Sequence, residues 1–234
     1  MSITLADIRT QARQRADMLE SQFVTDSELN SYINASMAEL HDLLIAAYNE
    51  EYYMESVEFS AVQDQIDYDL PNGTNYNNAQ KFYKLRGFDI KVENDVWTNC
   101  HRFNFNRRNE DQAAFAFNML GIPYLDYRIV GSKIRFNRTP DVNSQFRLWY
   151  NPKVVVLVND ADIFDDINGY AEYVVVDAAI KMLQKEESDV TVLMVQKEAL
   201  RARIQTMAQN RDANEPESVT DIHEEDSYAF GFRR

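Results

Sequence analysis

The sequence predicts an α+β fold: a four-helix bundle formed by N- and C-terminal helical pairs, with an inserted antiparallel β-rich region and an extended C-terminal tail. Apolar residues recur at three- and four-residue steps near both ends of the chain, which is the period of an amphipathic helix. Between Tyr52 and Pro152 the chain is instead rich in aromatic and β-branched residues. The predicted parts are a helical pair at 1–50, a β-rich insert at 51–152, a helical hairpin at 153–210 and a tail at 211–234.

The first two helices are predicted from their caps and their apolar faces. Thr4 can cap the first helix, because its hydroxyl accepts a hydrogen bond from an otherwise unpaired backbone N–H. Thr25 and Glu28 form the Thr-x-x-Glu capping box of the second helix. The apolar faces comprise Leu5, Ile8, Ala12, Ala16 and Leu19 in the first helix, and Leu29, Tyr32, Ile33, Ser36, Met37, Leu40, Leu43, Leu44 and Ala47 in the second.

Short strands are predicted in the insert. Residues 55–61 and 66–70 fit two strands, and 82–92 fits one or two more. The clearest hairpin spans Tyr124–Arg138 and turns at Gly131 and Ser132. Phe146, Leu148 and Tyr150 alternate with polar neighbours in a last strand. We therefore expect a small antiparallel sheet or barrel.

Helices resume after the insert. Residues 167–187 carry one wide apolar face, and residues 190–209 carry a second periodic pattern. Ser188 and Asp189 lie between them, where they can end one helix and cap the next. The two helices form an αα-hairpin that completes the predicted bundle.

Composition restricts the class of function. A formal net charge of −14 argues against a surface that grips nucleic acid through its phosphates, but fits a passage through which DNA slides. Cys100 is the only cysteine, so an internal disulfide is impossible and a cysteine-based zinc site is not expected. The longest aliphatic run, 154–158, is far shorter than the roughly 20 residues that span a bilayer. We expect synthesis in a cytoplasm and no membrane partner.

An acidic cluster at 160–166 has two interpretations. A calcium loop needs an oxygen ligand where Phe164 stands and a glycine where Asp165 stands. We therefore predict that these carboxylates cap the following helix, whose N-terminal dipole favours negative charge. The alternative is a metal-dependent hydrolase that uses the Asp160–Asp166 cluster. The sequence has no nucleophile elbow or phosphate-binding loop, so we predict neither enzyme activity nor a cofactor.

Basic and aromatic residues alternate over 101–108, HRFNFNRR. Proteins that bind single-stranded nucleic acid combine these residue types, because bases stack on the rings. Alternating Phe and Asn also fits a strand with one buried face, and the arginines can pair with an acidic neighbouring subunit. Given the negative net charge, we favour the strand or the subunit contact. The candidate contact residues are Arg102, Phe103, Phe105, Arg107 and Arg108.

The apolar pattern fades after Asn210. The tail that follows is acidic and buries too little apolar surface to order by itself. It ends with three aromatic residues and two arginines within Tyr228–Arg234. Two interpretations stay open, a frayed terminus and a docking peptide that folds on its partner.

Two N-terminal segments, ITLADIRTQARQRAD and VTDSELNSYINASMAELHDLL, resemble the helical pair of tailed-bacteriophage head–tail adaptor (connector) proteins. In that family a helix that starts Thr-Leu-x-x-(Ile/Leu)-Arg leads through a loop to an aromatic-x-(Thr/Ser)-Asp-x-Glu entry into the second helix. The matching residues of the second helix are Phe23, Thr25, Asp26, Glu28, Leu29, Tyr32, Ile33 and Asn34. The later strand, acidic stretch and αα-hairpin are similar in style, whereas the β-rich insert is longer than in compact members.

The resemblance implies a structural protein of the virion neck. Such adaptors form a ring, usually of twelve copies, beneath the portal protein and present a surface to the tail or to a further neck protein. Double-stranded DNA passes through the ring without sequence-specific binding. A C-terminal extension often reaches the portal, so the implied docking residues are Tyr228, Phe230, Phe232, Arg233 and Arg234. The alternative within the same particle is another neck or tail-completion ring protein.

Overall fold

The computed structural model describes residues 2–92, 96–107 and 125–210, and these form four α-helices and antiparallel sheets. The α+β class is thus confirmed. The helices are α1 Leu5–Arg15, α2 Asp26–Ala47, α3 Ala171–Lys185 and α4 Thr191–Gln209. The strands are β1 Ser2–Thr4, β2 Glu55–Ser60, β3 Asp67–Asp69, β4 Phe82–Val92, β5 Val96–Asn99, β6 Tyr127–Val130, β7 Lys133–Phe136, β8 Gln145–Pro152 and β9 Ile163–Asp165.

The described strands form three sheets. One has the order β2-β8-β4-β5, a second has the order β3-β7-β6, and β1 pairs with β9. The predicted hairpin is confirmed, because Ile129 lies opposite Ile134 and the chain turns between Val130 and Lys133. The pair β1–β9 was not predicted. It places Ile3 opposite Phe164 and thereby ties the entry into α1 to the acidic segment before α3.

Both predicted helix caps are present, but only the first is a complete capping box. The Thr4 hydroxyl accepts from the backbone N–H of Asp7 at 3.2 Å, and the Asp7 carboxylate accepts from the backbone N–H of Thr4 at 3.3 Å. The Thr25 hydroxyl accepts from the N–H of Glu28 at 3.3 Å. The Glu28 carboxylate instead accepts from the Tyr32 hydroxyl and from Lys185 of α3, so it joins two helices.

Removal of the Thr25 hydroxyl tests this cap. We expect Thr25→Ala to lower the free energy of unfolding by about 1 kcal/mol, because the N–H of Glu28 loses its partner at the end of α2. Urea denaturation measures the change. Thr25→Ser keeps the hydroxyl and should retain most of the stability, and an equal loss in both variants would contradict the capping role.

The four helices contribute to one hydrophobic cluster, here called the helical cluster. Helix α3 packs against α1, α2 and α4, and α2 also contacts α1 and α4. Val174, Val175 and Val176 of α3 are all fully buried, so this helix is buried on nearly every side and lies in the interior. Leu19 was predicted to face inward, but it is 56% exposed. The reason is that α1 ends at Arg15, so Leu19 no longer follows the helical period.

A second cluster, here called the aromatic cluster, lies between the two larger sheets. Its rings include Phe59, Tyr68, Phe88, Phe136 and Phe146, and the centroids of Phe136 and Phe146 are 4.8 Å apart. The inward side chains of β8 alternate as the sequence predicted, since Phe146, Leu148 and Tyr150 are buried. The described residues therefore form two separate hydrophobic clusters, one helical and one aromatic.

Candidate functional site

A buried polar cluster joins α2, α3 and α4. Asp177 is only 3% exposed. Its carboxylate accepts hydrogen bonds from three groups. These are the Ser36 hydroxyl at 2.6 Å, the Lys181 ammonium at 2.5 Å and the Lys197 ammonium at 2.8 Å. Lys197 also donates to Glu39 of α2 at 3.0 Å. Two carboxylates and two ammonium groups thus balance one another between the helices.

The pKa values follow from this arrangement. Burial by itself would raise the pKa of Asp177, but the hydrogen bonds from Lys181, Lys197 and Ser36 hold it below its ordinary value. Burial would lower the pKa of Lys197, whereas the hydrogen bonds to Asp177 and Glu39 raise it above its ordinary value. Asp177 and Lys197 are therefore both charged at neutral pH, which suits a fixed structural contact rather than proton transfer.

A cleft of about 290 Å³ lies between α2 and the start of the β-rich region. Its walls include Met37, Leu40, His41, Tyr53, Gln80 and Phe164. The His41 ring stacks on Tyr53 with a centroid distance of 4.8 Å and meets Tyr83 edge-on at 5.8 Å. Burial lowers the pKa of His41 below its ordinary value, although Asp42 acts in the opposite direction. His41 thus lies at the boundary between α2 and the β-rich region.

The lowered pKa of His41 predicts a pH dependence of stability. Below an unfolded-state pKa of about 6.5 the unfolded chain binds this proton more readily than the folded chain. Stability should therefore fall as the pH drops through this value, and His41→Phe should reduce the slope in this pH range. Titration of the ring by NMR should give a folded-state pKa below 6.5. A value above that would contradict the burial argument.

Residues 153–158, here called the valine segment, connect β8 to the turn before β9. Asn34 of α2 holds the segment, because its amide donates to the Leu157 carbonyl at 2.9 Å and its oxygen accepts from the Leu157 N–H at 2.8 Å. Leu157 is buried, whereas Val155, Val156 and Val158 are each more than half exposed. This places an apolar surface next to the cleft, and exposed apolar patches of this kind mark interaction sites.

The acidic cluster is distributed over local structural roles. The Asp162 carboxylate accepts from the N–H groups of Val158 and Asn159, and these bonds lower its pKa. Asp160 pairs with Arg9 of α1, and Asp165 lies in β9. Within the described ranges, no group of three or more His, Cys, Asp or Glu side chains could hold a metal ion.

The predicted capping of the following helix is confirmed for one residue of this cluster, Asp166. The Asp166 carboxylate accepts from the backbone N–H of Ala171 at 2.8 Å, at the start of α3. The helix was predicted to begin at Ile167, which is wrong by one turn. Residues 167–169 form a 3₁₀ turn in which Asn168 has a φ of 57°, so the α-helix begins only after it.

Residues 101–107 do not form the predicted strand. Arg102 makes a single parallel bridge with Tyr127, and the chain then enters a 3₁₀ turn at Phe105–Arg107. The Asn104 side chain accepts from the N–H of Asn106 at 3.0 Å, and such a turn competes with strand pairing. Phe103 is buried, whereas Phe105 is partly exposed with the Arg128 guanidinium 5.7 Å from its ring centroid.

Several candidate residues remain predictions. Arg108 and the tail residues Tyr228, Phe230, Phe232, Arg233 and Arg234 lie outside the described residues. The role of Arg102, Phe103, Phe105 and Arg107 in a subunit contact also stays a prediction. Phe103 is buried within its own subunit, whereas Arg102 and Phe105 are exposed.

The chain matches the family model described as SU10 adaptor protein over residues 3–220. The chain belongs to the SU10 adaptor family. This is a phage head–tail adaptor family, so the predicted resemblance is confirmed. A comparison with curated proteins found no match. The SU10-family adaptor is thus a structural phage protein and a virion component.

The outer face of the four-stranded sheet carries a group of aromatic and charged side chains that was not predicted from the sequence. The Arg147 guanidinium lies 4.0 Å from the Trp97 ring centroid and 5.6 Å from that of Trp149. Arg147 also donates to Glu58, and the Trp149 indole N–H donates to Asp89 at 2.7 Å. These residues come from four strands, and only the register of the sheet brings them together.

In the described part of the chain, the exposed surfaces of the SU10-family adaptor are therefore more clearly defined than any group of residues that could carry out a reaction. The charged cluster at Asp177 is internal and neutralised, whereas the cleft and the valine segment open to solvent. None of the described helices is long and apolar enough to cross a bilayer.

Proposed function

We propose that this SU10-family adaptor forms a ring beneath the portal protein, connects the capsid to the tail and continues the DNA channel. The observation that carries the proposal is the family match over residues 3–220, which includes both ends of the helical cluster. Twelve copies form the proposed ring. Its position is the virion neck, where one face meets the portal and the other meets the tail or a further neck protein.

In this proposal the four helices form a bundle that is the rigid unit of each subunit. Residues 1–50 and 153–210 supply the bundle, and the β-rich insert at 51–152 projects from it. The separation of the helical and aromatic clusters supports this division. The Asp177 cluster supports it as well, because three of the four helices meet at its charged groups.

The charge of the subunit suits a DNA channel. Each copy carries a formal charge of −14, so twelve copies carry −168 (12 × 14 = 168). Acidic side chains along a channel repel the phosphates of the duplex and prevent adhesion to the wall. The proposal therefore includes DNA as a passing partner that the ring does not bind sequence-specifically.

The tail at 211–234 is the proposed portal-docking element. Aromatic and arginine side chains dominate binding energy at protein interfaces, and the tail carries both types at Tyr228, Phe230, Phe232, Arg233 and Arg234. The preceding acidic residues keep the segment soluble until it meets its partner.

Native mass spectrometry of the full chain mixed with the portal protein of the same phage tests the proposal. We expect a mass increment equal to a whole ring of 27.3 kDa subunits, lost on deletion of residues 211–234. Replacement of Glu224, Glu225 and Asp226 with glutamine is the matched control and should leave binding intact. No association at packaging-like salt would overturn the portal assignment and favour a ring on the tail side.

A further inference from the structure

We propose that the valine segment of one subunit binds the outer face of α4 in a second copy of this chain. The inference rests on the proposed ring and names the two surfaces that would join neighbouring subunits. Each surface is apolar and exposed, and the two carry opposite charge.

Helix α4 has two apolar faces. The inner face packs on the helical cluster through Leu193, Leu200 and Ile204. The outer face follows the same three- and four-residue steps and consists of Val192, Val195, Ala199, Ala202 and Thr206, all of which are exposed. Val192 is 78% exposed and Val195 is 69% exposed. A helix at the surface of a monomer normally directs polar residues outward, so this second face indicates a contact with another molecule.

The valine segment offers a matching surface. Val155, Val156 and Val158 are 65%, 55% and 68% exposed, and Ile163 beside them is 62% exposed. Of these side chains, Val155 and Ile163 line the open cleft next to α2. Because Asn34 fixes the backbone at Leu157 through two hydrogen bonds, the exposed valines are held in place before a partner arrives.

Charge complementarity selects this pairing. Lys197 of α4 is neutralised within its own subunit by Asp177 and Glu39, which leaves Arg201 and Arg203 against Glu198, a formal charge of +1 (2 − 1). Residues 153–166 contain Lys153 against Asp160, Asp162, Asp165 and Asp166, and because Arg9 pairs with Asp160, the formal charge of this surface is −2 (2 − 4). Two copies of the same surface would bring like charges together, whereas the two different surfaces attract one another. The expected contact is therefore heterologous.

The two surfaces lie on different sides of the subunit. On α2, Asn34 holds the valine segment and Glu39 contacts Lys197 of α4. These residues are five positions apart, which places their side chains about 140° apart around the helix. A contact between different surfaces on different sides of a subunit propagates from copy to copy, and it closes into a ring when the rotation permits.

Cysteine cross-linking of the full-length chain tests the contact. The variants are Val156→Cys, Val195→Cys and the double variant, treated with a short bis-maleimide. Cys100 is buried and gives little background. We expect covalent multimers from the double variant, only covalent dimers from a mixture of the two single variants, and neither product from a single variant alone. The yield should fall as NaCl increases, because salt screens the opposite charges.

A matched control replaces Val142, which is 52% exposed and lies between β7 and β8, outside the proposed contact. Val142→Cys combined with Val195→Cys should give no multimers. Dimers from Val195→Cys alone would indicate a symmetric α4–α4 contact and overturn the proposal. The reaction is run on the chain alone at high concentration and on its mixture with the portal protein, and absence of the multimers in both would also overturn it.

These outcomes separate the contact from the proposed function. If native mass spectrometry shows a full ring on the portal but residues 156 and 195 do not cross-link, the adaptor function stands and the contact is overturned. The link without portal binding would support the contact and overturn the portal assignment.

Discussion

Replacing Asp177 with alanine should lower the free energy of unfolding by about 3–5 kcal/mol. The substitution removes the carboxylate that accepts from Ser36, Lys181 and Lys197, and it leaves two ammonium groups beside an apolar site. A buried charge that loses its partner is costly because water cannot replace the missing interaction. Urea denaturation followed by circular dichroism measures the loss.

Two further variants define this effect. Glu198→Ala removes a largely exposed partner of Arg201 and should change stability by less than about 1 kcal/mol. Asp177→Ala combined with Lys197→Met removes one of the two cations that Asp177 contacts and should recover part of the loss. If Asp177→Ala cost as little as Glu198→Ala, the buried cluster would not be a structural contact.

The lowered pKa of Asp177 predicts that the stability of the fold decreases in acid. The folded-state pKa of Asp177 is lower than its unfolded-state value, so the unfolded chain binds more protons when both titrate. The stabilisation is present above an unfolded-state pKa of about 3.9 and is lost as the pH falls through the folded-state pKa. Asp177→Ala should lack this part of the pH dependence.

Replacing Phe146 with alanine should also cost about 3–5 kcal/mol, through a cavity in the aromatic cluster. Phe146 is fully buried, and its ring centroid lies 5.3 Å from that of Phe59, 5.6 Å from that of Phe88 and 4.8 Å from that of Phe136. Both tryptophans of the chain are in the β-rich region, so tryptophan fluorescence reports unfolding of that region. Circular dichroism at 222 nm reports mainly the helices.

Tryptophan fluorescence and circular dichroism together test the proposed division into a helical bundle and a β-rich insert. We expect Phe146→Ala to shift the fluorescence transition more than the helical transition, and Leu40→Ala in the helical cluster to do the opposite. Val142→Ala at an exposed position is the control and should change stability by no more than about 0.5 kcal/mol. Equal shifts of both probes in both core variants would show that the two clusters unfold as one unit.

Local sequence patterns predicted most of the secondary structure. The Thr4 and Thr25 caps, the hairpin around Gly131 and the alternation in β8 each depend on residues close together in the chain. The failures also have local causes. Asn104 starts a turn where a strand was expected, and the 3₁₀ turn at 167–169 delays the start of α3.

The sequence by itself determined the α+β class, the helix caps and the adaptor family, because those features depend on short-range hydrogen bonds, periodicity and local motifs. Only the tertiary structure placed Ser36 and Lys197 around Asp177, and Trp97 and Trp149 around Arg147. The residues of each group come from separate segments of the chain, and no local pattern encodes which of them meet. Strand register and helix packing decide that, since each burial and each charge pairing depends on which face of an element meets another.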